Sequence, residues 1–403
     1  MSNRHVFAWV PVALLAALAI GCGTSDDPGS LGPGSYAVAT TQFSPEGETT
    51  YVGLVEDPSE PVALDLSHAL EFGGAAALFG PDGRNVFALG SSDAPTLTRY
   101  ELEDGALAQR ASVSLADYGI MSGFKRPELV PFVAPDKAYW LDDTSVQVVV
   151  WNPETMTVSG SFSLAGAERD GLLLELGDAV VRDGLVFVSA SFYDDAEVTA
   201  PGAALLVIDA ERDELVDVLG SDDCGGSKSL ALADDGTLYL ATDPFVASLH
   251  ALDADFPAPC LLRVLPGERE LDPDFALSTS DLTGGNVSGG LVRGSDGSAY
   301  LLALDQDLLD EPIGPDTDIY APYEASAWRW WRFELGSDEM GELMADVPAA
   351  SAATRVLRAG ERDFISLTSF ETGQTTLLVP RADGSLTTGL SMPGFPYGLI
   401  RLR

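Results

Sequence analysis

AALFGPDGRNVFALG, residues Ala76–Gly90, sets two short apolar runs on either side of a Pro-Asp-Gly turn. Turn residues of this kind between two β-rich runs spell a tight hairpin. The same unit returns as FVAPDKAYWL (Phe132–Leu141), LGDAVVRDGLVFVSA (Leu176–Ala190) and SLALADDGTLYLATD (Ser229–Asp243). It appears again as GLVRGSDGSAYLLALD (Gly290–Asp305) and TRVLRAGERDFISLTS (Thr354–Ser369).

A further strand ending in an acidic or Asn turn follows each hairpin. It reads LTRYELED (Leu97–Asp104), VVVWNPET (Val148–Thr155), LLVIDAER (Leu205–Arg212), SLHALDAD (Ser248–Asp255), RWWRFELG (Arg329–Gly336) and TLLVPRADG (Thr376–Gly384). A seventh copy, TYVGLVED (Thr50–Asp57), stands first and has only the single strand Tyr36–Gln42 before it. Most copies lie about 45 to 57 residues apart, the length of one four-stranded propeller blade. The gap between the fifth and sixth is longer and holds an insertion from Gln306 to about Glu324.

No stretch after Ser35 carries a sustained helical period, so the chain reads as all-β. One blade cannot bury both of its faces, whereas radially stacked blades bury each other's, and closing the ring protects the edges. The expectation is a single propeller of seven four-stranded blades, with six as the alternative. Because LTTGL and PYGLIRL (Leu386–Leu402) follow the last copy, the N- and C-terminal strands are expected to share one blade.

The 403 residues carry 62 acidic against 22 basic side chains, a formal charge of −40. Such a field opposes every phosphate contact, so no nucleic-acid partner is expected. Residues 1–21 read as a signal peptide: Arg4 and His5 precede an apolar run, Val6–Ile20, too short to span a bilayer. LAIGC (Leu18–Cys22) resembles the lipobox of bacterial lipoproteins, with Ala19 where that pattern favours Leu, and implies a lipid on Cys22. Gly23 rather than Asp after it implies outer-membrane sorting. Residues 22–34 form a polar tether and residues 35–403 the propeller.

Cys224 and Cys260 remain in the mature chain; in an oxidising compartment they either pair or stay free thiols. Zinc is not expected, since there is no Cys-x-x-Cys.

With the blades aligned, the loop after each hairpin's second strand carries acid: Asp93, Asp142 with Asp143, Asp194 with Asp195, Asp243, Asp305 and Glu371. These loops share one face of a propeller, together with Tyr118, Phe124, Phe192, Tyr193, Phe245, Tyr320, Tyr323, Phe395 and Tyr397. Two readings stand: an acidic cup drawing a cation, metal complex or basic protein, or Asp serving merely as a turn former.

The insertion DQDLLDEPIGPDTD (Asp305–Asp318) is either a solvated loop or a set of oxygen ligands for calcium, although it departs from the EF-hand pattern. The tryptophans of AWRWWRF (Ala327–Phe333) read as core between blades. Catalytic signals are thin. Outside the signal the only histidines are His68 and His250, the latter read as a hydrogen-bonded residue in a strand, and no G-x-S-x-G occurs.

SYAVATTQFSPEGETTYVGLVED, LDLSHALEFGG and LFGPDGRNVFALGSSDAPTLTRYELEDG, all within residues 35–105, resemble the MxcI-like lipoproteins of myxobacteria. The chain resembles the DUF4374-type lipoprotein propellers more distantly. The resemblance implies a periplasmic or surface propeller associated with siderophore-mediated iron uptake and supplies no catalytic motif. The expected function is thus that of a monomeric, lipid-anchored binding or scaffold propeller without a cofactor. The alternative is a calcium-dependent, lactonase-like hydrolase.

Overall fold

The computed structural model describes residues 35–194, 199–222, 224–314, 316–369, 372–381 and 385–403. The segments expected to form a signal peptide and a tether, with Cys22, Asp195 and Glu371, lie outside the described residues. Seven four-stranded antiparallel sheets form seven blades around one axis. The innermost strands are, in order of blade, Phe395–Arg401, Ala76–Phe79, Phe132–Ala134, Leu173–Arg182, Ser227–Leu232, Val287–Arg293 and Arg355–Ala359.

Blade 1 is the clasp. Its inner strand comes from the C-terminus and pairs antiparallel with Tyr36–Ser44, in a register running from Tyr36↔Arg401 to Thr41↔Phe395. Seven buried clusters hold the ring, one at each junction between neighbouring blades. The closing junction packs Tyr36 and Val38 of blade 1 on Phe364 and Leu377 of blade 7. Between blades 2 and 3, Phe79 meets Trp140 edge to face at 5.8 Å. Trp328 and Trp330 are core at the junction of blades 6 and 7.

Polar groups tie the lower rim. Arg182 of blade 4 donates to the carbonyls of Gly236 (2.9 Å) and Val264 (3.3 Å) in blade 5. Ser295 N–H of blade 6 donates to Asp363 of blade 7 at 2.9 Å. Cys224 and Cys260 are disulfide-bonded within blade 5, with Cα atoms 5.4 Å apart.

Close approach between blades makes glycine obligatory at a few inner positions. A Cβ on Gly177 would lie 2.5 Å from Lys228 Cα on the next inner strand, and one on Gly398 would lie 2.8 Å from Leu78 Cβ.

One repeat departs from the expected pattern. Ser248–Asp255 is not a strand: Pro244–Leu252 is an α-helix, and the third strand of blade 5 is Cys260–Val264. Asp243 accepts from Phe245 N–H at 2.8 Å as an N-cap, Pro244 opens the first turn, and Val246 and Leu249 fall on one buried face. These local signals outweigh the strand reading. His250 therefore sits on a helix, where its Nδ1 is 2.7 Å from the Phe256 carbonyl oxygen.

Candidate functional site

The inner strands leave an open channel along the axis, with a cavity of about 550 Å³. Blades 1, 4, 5, 6 and 7 line it with their inner strands. Blade 3 contributes differently. Its inner strand is short, and a 3₁₀ turn, Pro127–Leu129, brings Arg126 and Glu128 to the wall.

Opposite charges gather where these pieces meet. Asp178 follows Gly177 at a β-bulge in the inner strand of blade 4 and accepts from Leu230 N–H of blade 5 at 3.2 Å. Burial, followed by the neighbouring Glu128 carboxylate, drives its carboxyl pKa up to about 7, against the opposing pull of Arg126. The protonated form is therefore favoured by folding. The stability this group contributes is complete below about pH 4 and is lost as pH rises toward 7.

Burial disfavours the charge on Arg126, but the carboxylates of Asp178, Glu128, Asp243 and Glu175 outweigh it and raise the pKa. Arg126 also donates to the Leu176 carbonyl at 3.2 Å. Burial likewise acts against the charge on Lys228; Asp243 and Glu175 reverse the effect, and the ammonium pairs with Glu175 at 2.7 Å.

The upper end of the channel is aromatic. Phe245 on the blade 5 helix stacks on Tyr320 at 5.2 Å and meets Tyr323 edge to face at 5.7 Å. Tyr320 and Tyr323 belong to the insertion, which is pinned by Trp328 Nε1–H donating to the Pro322 carbonyl at 2.7 Å. Across the channel Phe124 packs on Tyr397 at 5.0 Å. Burial raises the pKa of both Tyr323 and Tyr397, and the Arg355 guanidinium opposes the rise in each.

The acidic loops take different places. Asp243 lines the cavity while capping its helix. Asp142 and Asp143 share Lys125 at 3.0 and 2.9 Å. Asp93 packs against Gly73 and Gly74 of blade 1. Asp305 caps the 3₁₀ turn Gln306–Leu308 and lies 3.7 Å from Arg329. Asp194 directly follows the strand Leu185–Tyr193.

The topology brings these loops to one end of the ring, yet among the described residues only Asp243 of the set reaches the cavity wall. Composition did not single out Arg126, Glu128, Asp178, Arg355 or Arg358. The available signal was a charge interrupting an apolar inner strand, as in LGDAVV and TRVLRAG.

The architecture defines a seven-bladed β-propeller with an amphoteric, aromatic-mouthed central channel. No known family model matches the sequence, and no curated protein is similar to it. Solved propellers are similar in fold. One is a protein from Bacteroides fragilis NCTC 9343 named as a 6-phosphogluconolactonase, 11% identical, with TM-score 0.56 over 94% of this chain and 100% of that one. A namesake from Bacteroides uniformis ATCC 8492 is 11% identical, with TM-score 0.54 over 91% and 99%. A protein from Lactobacillus plantarum is 12% identical, with TM-score 0.50 over 92% and 100%. At these identities the likeness is one of fold alone.

Proposed function

We propose that this chain is a lipid-anchored, extracytoplasmic binding propeller that holds a small ligand in the upper part of its central channel. The observation that carries the reading is the cavity itself. It is open, about 550 Å³ in volume, and walled by charged and aromatic groups from the inner strands of blades 1, 4, 6 and 7, from the turn that carries Arg126 and Glu128, and from Asp243, Tyr323 and Trp330. A concave site with an apolar wall and a few converging polar groups is the usual form of a small-molecule site. The anchor follows from LAIGC and the tether, and the resemblance to MxcI-like lipoproteins supplies iron acquisition as the setting.

The test uses the mature chain incubated with a small-molecule extract of the producing cells and then examined by native mass spectrometry. One adduct per chain is expected, and it is expected to be lost when Ala353→Trp or Val292→Trp fills the channel. Adducts that ignore both fillings, or none at all, would contradict the reading.

One observation favours a hydrolytic reading as second. Asp178, with a pKa pushed up to about 7 beside Glu128, has the character of a general acid. Under that reading the extract component, or a lactone, is consumed rather than retained, and Asp178→Asn abolishes the loss.

A further inference from the structure

The wall of the channel has a charge balance unlike that of the rest of the molecule. The chain as a whole has 62 carboxylates against 22 basic side chains. The cavity is lined by four arginines, Arg126, Arg293, Arg355 and Arg358, against three carboxylates, Glu128, Asp178 and Asp243. Arg293 pairs with Asp234 and Lys228 with Glu175. Among the described residues, no carboxylate pairs with Arg355 or Arg358. In a protein so rich in acid, cations left without a carboxylate on the wall of a cavity mark a place where negative charge is to be received.

The Tyr323 phenol lies within the fields of the Asp243 carboxylate, the strongest of its charged neighbours, and of Arg355, Lys228 and Arg126, which come from blades 7, 5 and 3. Beside it the cavity extends between blades 6 and 7 over Leu302, Trp330 and Ala352, an apolar recess. Trp330 is 3% exposed, and its Nε1–H has no acceptor among the described residues.

We infer that the channel takes a small amphipathic anion, its acid group held by Arg355 with Arg126 and its apolar part set in the recess by Tyr323 and Trp330. This rests on the channel reading proposed above and adds the chemical class of the occupant. A carboxylate, sulfonate or phosphate group supplies the oxygens that a guanidinium binds with two hydrogen bonds. The aromatic or aliphatic body is desolvated against Tyr323 and Leu302.

Two dyes of similar shape and different charge separate the possibilities: 8-anilinonaphthalene-1-sulfonate, an anion, and N-phenyl-1-naphthylamine, its neutral counterpart. Titration of the mature chain is expected to give one saturable site for the sulfonate. Arg355→Gln should weaken that site roughly tenfold or more, as expected for loss of a charge-assisted hydrogen bond. Arg355→Lys should restore part of the affinity, and neither variant should change the neutral dye's affinity.

The inference is overturned if Ala353→Trp abolishes the sulfonate site while Arg355→Gln and Arg126→Gln leave it within twofold of the wild type. It is also overturned if the neutral dye alone binds in the channel. If Ala353→Trp leaves the binding of both dyes unchanged, the channel reading itself fails. Arg355 is exposed, so a variant that melts with the wild type separates loss of the site from loss of the fold.

Discussion

Stopping the chain after Gly394 is expected to abolish cooperative unfolding and leave a partly ordered, self-associating protein. The missing segment contains the inner strand of blade 1, so Tyr36–Ser44 loses its antiparallel partner along the register that closes the ring. Leu399 leaves the junction of blades 7 and 1, and Ile400 and Leu402 leave the junction of blades 1 and 2. Three buried side chains at roughly 1.5–3 kcal/mol each amount to about 5 kcal/mol or more, comparable to the whole stability of an ordinary domain.

The bared strand also presents an unpaired, fully buried-type edge, YAVATT, to a second copy. Scanning calorimetry and light scattering read both effects. A truncated chain that remains monomeric and melts in one transition within a few degrees of the intact protein would mean that the clasp does not hold the ring.

Gly177→Ala is expected to give the second-largest loss, more than about 3 kcal/mol, because overpacking between rigid backbones cannot be relieved by a rotamer change. The added methyl would press on the backbone of Lys228, so the inner strands of blades 4 and 5 must part. The neighbouring residues are those of the site: Asp178 follows Gly177 directly, and Lys228 carries the pair to Glu175. The variant should therefore lower the denaturant midpoint and also weaken binding of the sulfonate dye. Gly160→Ala serves as the control, since nothing lies within 4 Å of a Cβ there. Equal stability of the two variants would show that the inner strands are not packed as closely as this.

Much of the ring was legible in the sequence because its strands are short and sharply punctuated. PDG, RDG and DDG turns fix the inner hairpins, and the run at Leu386–Leu402 supplies the outer strand of blade 7, Leu386–Pro393, and then the strand Phe395–Arg401 that completes the first blade. Blade 5 shows where periodicity misleads. Extending the repeat suggests a strand at Ser248–Asp255, whereas the Asp243-Pro244 cap and the three-residue spacing of Val246 and Leu249 specify a helix. The local chemistry was readable, but the spacing of the other blades argued against it.

The channel was harder to read for a physical reason. Asp178 and Arg182 interrupt the same inner strand, and nothing in the linear pattern separates them. One faces the cavity, while the other satisfies blade 5 carbonyls at the opposite end. The acidic loops share this difficulty. Asp243 both caps a helix and lines the cavity, whereas Asp142 is taken up by Lys125, a residue whose position depends on the turn from blade 2 to blade 3. Which charges pair with each other and which face a ligand depends on contacts between blades that no single blade's sequence encodes.

Whether Arg126 and Glu128 of blade 3 share one channel with Asp178 of blade 4 is read most directly by titrating the Asp178 side-chain carboxyl by carbon NMR in the intact protein. Its signal can be assigned by its disappearance in Asp178→Asn. The midpoint should lie near pH 7, move down in Glu128→Gln, where a neighbouring negative charge is removed, and move up in Arg126→Gln, where the compensating cation is lost. A midpoint near pH 4 that neither substitution moves would mean that these groups do not meet, and that the channel does not gather charge from separate blades.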